Sequence, residues 1–178
     1  MSAEPDPATT RAAQALSEAE ALLVATGAGM GVDSGLPDFR GNEGFWRAYP
    51  PLEKLGVSFV DMASPDWFAR DPTVAWGFYG HRLNLYRATR PHAGFDLLRE
   101  HGERLPHGSF VFTSNVDGHH QQAGFAPDRI VECHGSIHHL QCTRCRGSPR
   151  IWEAADVHVA VDEQTFRAEP PYPTCPHC

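Results

Sequence analysis

ALLVATGAGMGVDSGLPDFRG, residues 21–41, joins an apolar run to a glycine-rich loop. The run 21–25 has the length and composition of a buried parallel strand. Glycines at positions 27, 29, 31 and 35 follow it, and closely spaced glycines let a backbone approach a phosphate because no Cβ holds the ligand away. The GxGxxG dinucleotide motif would need a glycine at Val32, so on spacing alone a glycine-rich turn between strand and helix also fits.

Outward from this segment, the sequence predicts an α/β protein with a parallel sheet. Apolar runs predict two further strands, at 109–113 and 129–133. The helices are predicted at 11–20, capped by Thr9 or Thr10, at 72–89 and at 92–103. Residues 42–63 show no clear period and are interpreted as an irregular, mobile flap. Alternating strands and helices are typical of a parallel sheet that binds ligands at the carboxyl ends of its strands.

Charge and composition exclude several classes of protein. The 178 residues carry a formal net charge of −7, whereas a general nucleic-acid binder is usually basic. No apolar run approaches the roughly 20 residues of a membrane span, and the N-terminus lacks the basic and apolar regions of a secretory signal. We therefore expect a cytoplasmic protein without direct nucleic-acid or membrane partners. Residues 1–8 are expected to be disordered.

Four of the five cysteines form two CxxC pairs, Cys142–Cys145 and Cys175–Cys178. Two such pairs can offer four thiolates to Zn²⁺ in a tetrahedral arrangement. A redox-active CxxC needs one motif near a helix N-terminus rather than two flanking a polar insert. The sequence therefore predicts a closed, structural zinc site, with His138, His139 and His177 not used as ligands. The fifth cysteine, Cys133, is interpreted as a small core residue.

Polar residues follow the second and third predicted strands. Asn115 and Asp117 alternate after the second strand, so that both can face one ligand, although asparagine and aspartate are also common in turns. His134 follows the third strand and precedes a glycine. Imidazole exchanges protons near neutral pH, which suits a general base, but a structural histidine is the alternative interpretation.

Together these motifs resemble those of the sirtuins, the NAD-dependent protein-lysine deacylases. The segment GAGMGVDSGLPDFRG resembles their NAD-binding motif, TSNVDGHHQQAG (113–124) their TQNIDxLHxxAG motif, and His134-Gly135 the step that contains their catalytic histidine. The chain departs from the family pattern at Gly31, Ser114 and His119, where serine, glutamine and leucine are usual. The resemblance implies catalytic roles for His134 and Asn115, and NAD binding by Gly27, Ala28, Gly29, Asp38, Phe39, Arg40, Ser114, Asn115 and Asp117.

By this resemblance, the acyl oxygen of an acylated lysine in a protein substrate displaces nicotinamide, and His134 activates a ribose hydroxyl. The products would be free lysine, nicotinamide and O-acyl-ADP-ribose. An NAD glycohydrolase or ADP-ribosyltransferase is the alternative enzyme, using the same Asn115 and Asp117. The third possibility is a catalytically inactive interaction module that carries zinc.

Tyr79 and Arg82 resemble the YxxR pair of sirtuins that remove succinyl, malonyl or glutaryl groups. Residues three apart share a helix face, where a phenol and a guanidinium can bind the distal carboxylate of an acyl group. The alternative is a packed tyrosine beside a solvated arginine.

The resemblance also implies two domains, of which the first is incomplete. Residues 1–136 would form the N-terminal part of a Rossmann-like NAD-binding domain, and 137–178 a zinc-binding module. A sirtuin continues past its second CxxC, so we expect a truncated or fragmentary chain with an unpaired sheet edge.

Overall fold

A computed structural model describes residues 6–38, 41–145 and 150–178. It contains a parallel sheet with the strand order β1-β2-β3 and a separate antiparallel pair, β4-β5. The strands are Leu22–Thr26 (β1), Ser109–Thr113 (β2), Ile130–Glu132 (β3), His139–Gln141 (β4) and Ile151–Glu153 (β5). The three predicted strands are therefore confirmed, and the protein has the expected α/β architecture.

The longer helices lie close to their predicted positions, and several short ones connect them. The helices are Pro7–Glu18 (α1), Gly41–Ala48 (α2), Pro50–Lys54 (α3), Phe59–Met62 (α4), Trp67–Arg70 (α5), Pro72–Ala88 (α6), Ala93–Arg104 (α7) and His119–Gln122 (α8), with 3-10 turns at Ala28–Ser34 and Pro127–Arg129. Among the described residues, no helix combines the length and apolar character that a bilayer crossing needs.

The first helix begins earlier than predicted. Asp6, not Thr9 or Thr10, is its N-cap, and the carboxylate accepts hydrogen bonds from the backbone N–H groups of Ala8 and Thr9. Pro7 occupies the first turn, where its missing N–H costs nothing. Of the residues expected to be disordered, 6–8 are therefore ordered, and 1–5 lie outside the described residues.

The interpretation of 42–63 as an irregular segment was wrong, because α2, α3 and α4 occupy most of it. Aromatic anchors fix these short helices: Phe45 and Tyr49 are fully buried and pack edge-on against Phe78 of α6. The Ser58 side chain caps α4 in a reciprocal capping box with Asp61. The sequence did not predict these helices because each is too short to show the helical period of apolar residues.

One face of the parallel sheet forms a core and the other is exposed. Val24 and Val111 lie opposite each other in register and pack with Phe125. On the other face, Leu23 is 69% and Phe112 is 47% exposed. Parallel sheets are usually covered on both faces, whereas the described residues leave this second face largely exposed.

Residues 154–168, here called the strap, lie across α6. The Arg87 guanidinium donates to the carbonyls of Val157 and Ala154, and the Asn84 amide donates to the carbonyl of Val159 at 3.0 Å. A Cβ at Gly80 would lie 2.5 Å from Val159 Cγ1. Glycine in the middle of α6 therefore allows the strap to approach the helix closely.

Candidate active site and zinc-binding cluster

The carboxyl ends of β1, β2 and β3 bring together three of the predicted site segments. The Asn115 side chain donates from Nδ2 to the carbonyl of Gly27 at 2.9 Å. The Nδ1 atom of His134 lies 3.1 Å from the carbonyl of Ser114. The glycine loop after β1, the polar loop after β2 and the histidine after β3 thus form one continuous cluster.

These contacts define the chemical state of two side chains. A carbonyl accepts only, so Nδ1 of His134 must carry the proton in its bond to Ser114, and in the neutral ring Nε2 has the free lone pair. Likewise, the amide nitrogen of Asn115 must face the Gly27 carbonyl, which makes its Oδ1 the acceptor for another group. His134 is exposed and Asn115 is half-buried, so a ligand can reach the histidine.

Asp117 is buried, and its Oδ1 accepts a hydrogen bond from the backbone N–H of His119 at 2.9 Å. His138 from the segment before β4 lies 2.8 Å from the Asp117 backbone carbonyl. An ionised carboxylate offers about four acceptor positions, so the bond to His119 leaves capacity for a carboxamide donor. His138 therefore supports the polar loop and does not join the cysteine cluster.

The 3-10 turn after β1 packs Gly31, where the family pattern has serine, against Leu36. Gly31 is buried, and a Cβ there would lie 3.1 Å from Leu36 Cδ1 and 3.3 Å from Leu36 Cβ. His92 at the start of α7 holds the turn, because its backbone N–H donates to the Ser34 hydroxyl at 3.0 Å and its Nε2 lies 3.1 Å from the Met30 carbonyl. A side chain at position 31 would therefore require Leu36 to shift by a few tenths of an ångström.

The remaining predicted cofactor residues are only partly described. Ala28 and Gly29 are exposed at the start of the 3-10 turn, and Asp38 is half-buried. Phe39 and Arg40 lie outside the described residues. Their predicted roles remain predictions.

The four CxxC cysteines converge. Their sulfur atoms all lie within 4.8 Å of one another, with Cys142–Cys178 at 3.6 Å and Cys145–Cys175 at 3.9 Å. Tetrahedral Zn–S bonds of about 2.3 Å would place sulfur atoms about 3.8 Å apart. Backbone N–H groups of Arg144 and Cys145 lower the pKa of the Cys142 thiol to about 6. The arrangement fits Zn²⁺ and leaves no open coordination position.

Tyr79 and Arg82 lie on α6, and the interpretation of Arg82 as solvated was wrong. Arg82 is 8% exposed, and its Nε and Nη2 donate to the Tyr86 hydroxyl at 3.1 and 2.9 Å. The Tyr79 ring stacks on Phe68, and burial raises the pKa of its phenol against the opposing charge of Arg82. The guanidinium is thus in a desolvated position, where contact with a carboxylate is strong.

Some residues that hold other parts of the site in place by hydrogen bonds were not predicted from the sequence. Thr26, Thr113 and His120 form a hydrogen-bonded group at the strand ends, and Tyr86 holds Arg82. The sequence feature that could have identified the two threonines is that each is the last residue of its strand. Cys133, interpreted as a core residue, is exposed, because it follows the last residue of the short β3.

A groove of about 710 Å³ is lined by residues 55–57, by α4, α5 and the start of α6, and by one residue of the strap. Its lining includes Leu55, Trp67, Arg70 and Arg167 but none of the predicted site residues. Cavity size alone would therefore not identify the cluster described above.

The parallel sheet, the glycine-rich loop at its strand ends and the four-cysteine cluster define an α/β protein with four thiols placed to hold a metal ion. The Sir2 family model matches residues 27–178. The chain belongs to the Sir2 family.

Similar proteins and solved structures support this family assignment. The chain is 37% identical over 133 residues to an NAD-dependent protein deacylase 2 of Pseudomonas aeruginosa, and the alignment covers 75% of this chain and 50% of the relative. It is 32% identical over 166 residues to an NAD-dependent protein deacylase of Pyrococcus abyssi, covering 93% and 59%. A solved Sir2 homologue mutant in complex with ADP-ribose superposes with a TM-score of 0.70 at 30% identity, covering 98% of this chain and 59% of that one.

The chain therefore spans about half to three-fifths of the length of the curated relatives it matches.

Proposed function

We propose that this chain carries the ribose-binding and catalytic residues of an NAD-dependent protein-lysine deacylase. The observation that supports the proposal most is the convergence of Gly27, Asn115, Asp117 and His134 at the ends of three adjacent strands. An acylated lysine in a protein remains the predicted substrate, and the cytoplasm the predicted location.

The described residues fit NAD. When bound, NAD would supply an electrophilic ribose carbon and the ribose hydroxyl that accepts the acyl group. Gly27 has no Cβ, and one built there would lie 3.4 Å from the Ser114 hydroxyl. That is an ordinary van der Waals distance, and without a side chain the Gly27 backbone is open to close approach by a ligand.

Each polar residue then has a separate task. The Oδ1 atom of Asn115 can orient a ribose hydroxyl, since its Nδ2 is engaged by Gly27. The Asp117 carboxylate can accept from a carboxamide NH₂. His134 can take up a proton at Nε2, because Ser114 fixes the Nδ1–H tautomer and the ring orientation.

The test separates His134 from Asp117. In His134→Ala, turnover of an acetylated peptide to O-acetyl-ADP-ribose should fall at least about a hundredfold, which is the lower range for loss of a general base. NAD binding, measured by calorimetry, should change little. His158→Ala, which removes an exposed histidine of the strap, is the matched control and should behave as wild type.

Asp117→Asn should weaken nicotinamide inhibition as well as turnover, because it removes the acceptor for the carboxamide. Near wild-type turnover in His134→Ala would contradict its role as base. Nicotinamide release without deacylation would indicate the alternative NAD glycohydrolase.

A further inference from the structure

Three buried or half-buried side chains connect the ends of β1 and β2. Thr26 and Thr113 are the last residues of these strands and lie opposite each other in register. Their hydroxyl oxygens are 2.8 Å apart, and Nε2 of His120 lies 3.0 Å from the Thr26 hydroxyl. His120 is 2% exposed and belongs to α8, which follows the polar loop.

Counting protons along this group assigns the histidine tautomer. The backbone N–H of Asn115 donates to the Thr113 hydroxyl at 3.1 Å. The Thr26 hydroxyl is assigned as donor to Thr113, whose own proton points to the Thr26 carbonyl at 3.5 Å. In this arrangement the Thr26 oxygen accepts from Nε2–H of His120. The neutral ring then has a bare lone pair at Nδ1, and that atom has no hydrogen-bond partner among the described residues.

The group ends on a residue that the proposed function uses. Thr113 fixes the backbone of Asn115, and the Asn115 amide in turn binds the carbonyl of Gly27, the residue after Thr26. These hydrogen bonds form a ring through Thr26, Thr113, Asn115 and Gly27 that joins the glycine loop to the two strand ends, and His120 attaches α8 to this ring at Thr26.

We propose that His120 is a positioning residue, which holds the ends of β1 and β2 together so that Asn115 and the glycine loop meet the ribose of NAD. This inference rests on the proposed function. His120 also packs edge-on against Phe95 and Phe125, with ring centroids 4.9 and 5.1 Å away. A purely structural histidine would need only those apolar contacts.

Two substitutions separate the roles. His120→Leu keeps an apolar side chain between Phe95 and Phe125 but loses the donor. His120→Gln places an N–H donor at about the reach of Nε2. If His120 positions the site, His120→Leu should weaken NAD binding roughly tenfold, as expected for an unsatisfied buried hydroxyl, and His120→Gln should restore most of it. His119→Leu, which alters a neighbouring buried histidine outside the ring, should bind NAD as wild type does.

The tautomer gives a readout that does not depend on NAD. Long-range ¹H–¹⁵N correlation spectra of the chain should show His120 as the neutral Nε2–H form, and the Asn115 amide proton should exchange slowly in wild type and His120→Gln but faster in His120→Leu. An Nδ1–H tautomer, or equal Asn115 exchange and equal NAD affinity in the two His120 variants, would overturn the proposal. Absence of NAD binding in wild type with the spectra as expected would instead contradict the proposed function.

Discussion

The two buried histidines of α8 make the stability of the folded protein depend on pH. Burial lowers the pKa of both His119 and His120, while the nearby Asp117 raises it, and His138 and His92 lower that of His119 further. Their folded-state pKa values thus lie below the unfolded value near 6.5. The unfolded chain binds more protons as pH falls below 6.5, so the stability that these neutral rings contribute is complete above that pH and is lost on acidification.

His119→Leu tests this at one residue. The substitution replaces a buried imidazole by an apolar side chain of similar size, so the variant should lose less stability than wild type between pH 7.5 and pH 5. Urea unfolding midpoints at several pH values provide the measurement. The exposed His158→Ala control should keep the wild-type slope. An unchanged slope in His119→Leu would mean that this ring does not titrate on unfolding.

Arg82 decides the acyl preference if its predicted role is correct. Its Nε–Nη2 edge donates to the Tyr86 hydroxyl, which holds the guanidinium in a desolvated place. An enzyme with this pair should prefer succinyl-lysine to acetyl-lysine by kcat/KM. Arg82→Met should reduce succinyl turnover about tenfold to hundredfold, since a charge-assisted carboxylate contact is worth roughly 1.5–3 kcal/mol.

The ratio of the two substrates, rather than either rate, is the measure, because Arg82 is also packed among Phe78 and Tyr86. Arg90→Met removes an exposed arginine two residues beyond α6 and should leave the ratio unchanged. An equal loss on both acyl groups in Arg82→Met would show that Arg82 only supports the helix.

At the scale of elements, the close packing of the strap on α6 depends on the absence of a side chain at Gly80. Gly80→Ala would place a Cβ 2.5 Å from Val159 Cγ1 and 2.6 Å from Val159 Cβ. Alanine favours a helix over glycine by about 1 kcal/mol, whereas overpacking costs about 1–3 kcal/mol. We expect the clash to dominate, so that the variant is less stable than wild type and amide exchange in the strap becomes faster.

Ala88→Ser adds one heavy atom at an exposed position of the same helix and should leave strap exchange unchanged. Thermal unfolding decides the sign. A stabilised Gly80→Ala would show that helix propensity prevails and that the strap yields easily.

The sequence predicted these elements unevenly, for physical reasons. Strand β2 matched its predicted bounds because four of its five residues are aromatic or β-branched, a composition typical of strands. Helix α6 matched closely because Asp71 caps it, accepting from the Val74 N–H at 3.3 Å. The helices α2–α4 escaped prediction since each depends on tertiary anchors such as Phe45. The site residues were predicted by motif, but His120 was not, because its role lies in a contact with Thr26, 94 positions away.

At the scale of the whole molecule, the cysteine cluster ties two distant parts of the chain. We expect close to one Zn²⁺ per chain by elemental analysis, bound by Cys142, Cys145, Cys175 and Cys178. Closed zinc sites contribute folding free energy directly. Sequence alone predicts that loss of zinc unfolds everything from about residue 140, but the structure limits that prediction, because the strap has its own bonds to α6.

Arg87 and Asn84 hold the strap through the carbonyls of Val157 and Val159, and the Ala168 N–H donates to the Thr73 carbonyl at 2.8 Å. None of these bonds involves a cysteine. On chelation of zinc, or in Cys175→Ser, amides of β4, β5 and 170–178 should therefore lose protection from hydrogen exchange while 157–168 keep it. Cys133→Ser, at an exposed cysteine outside the cluster, should retain the metal and all protection. Equal loss of protection in the strap would mean that the zinc, and not α6, holds it in place.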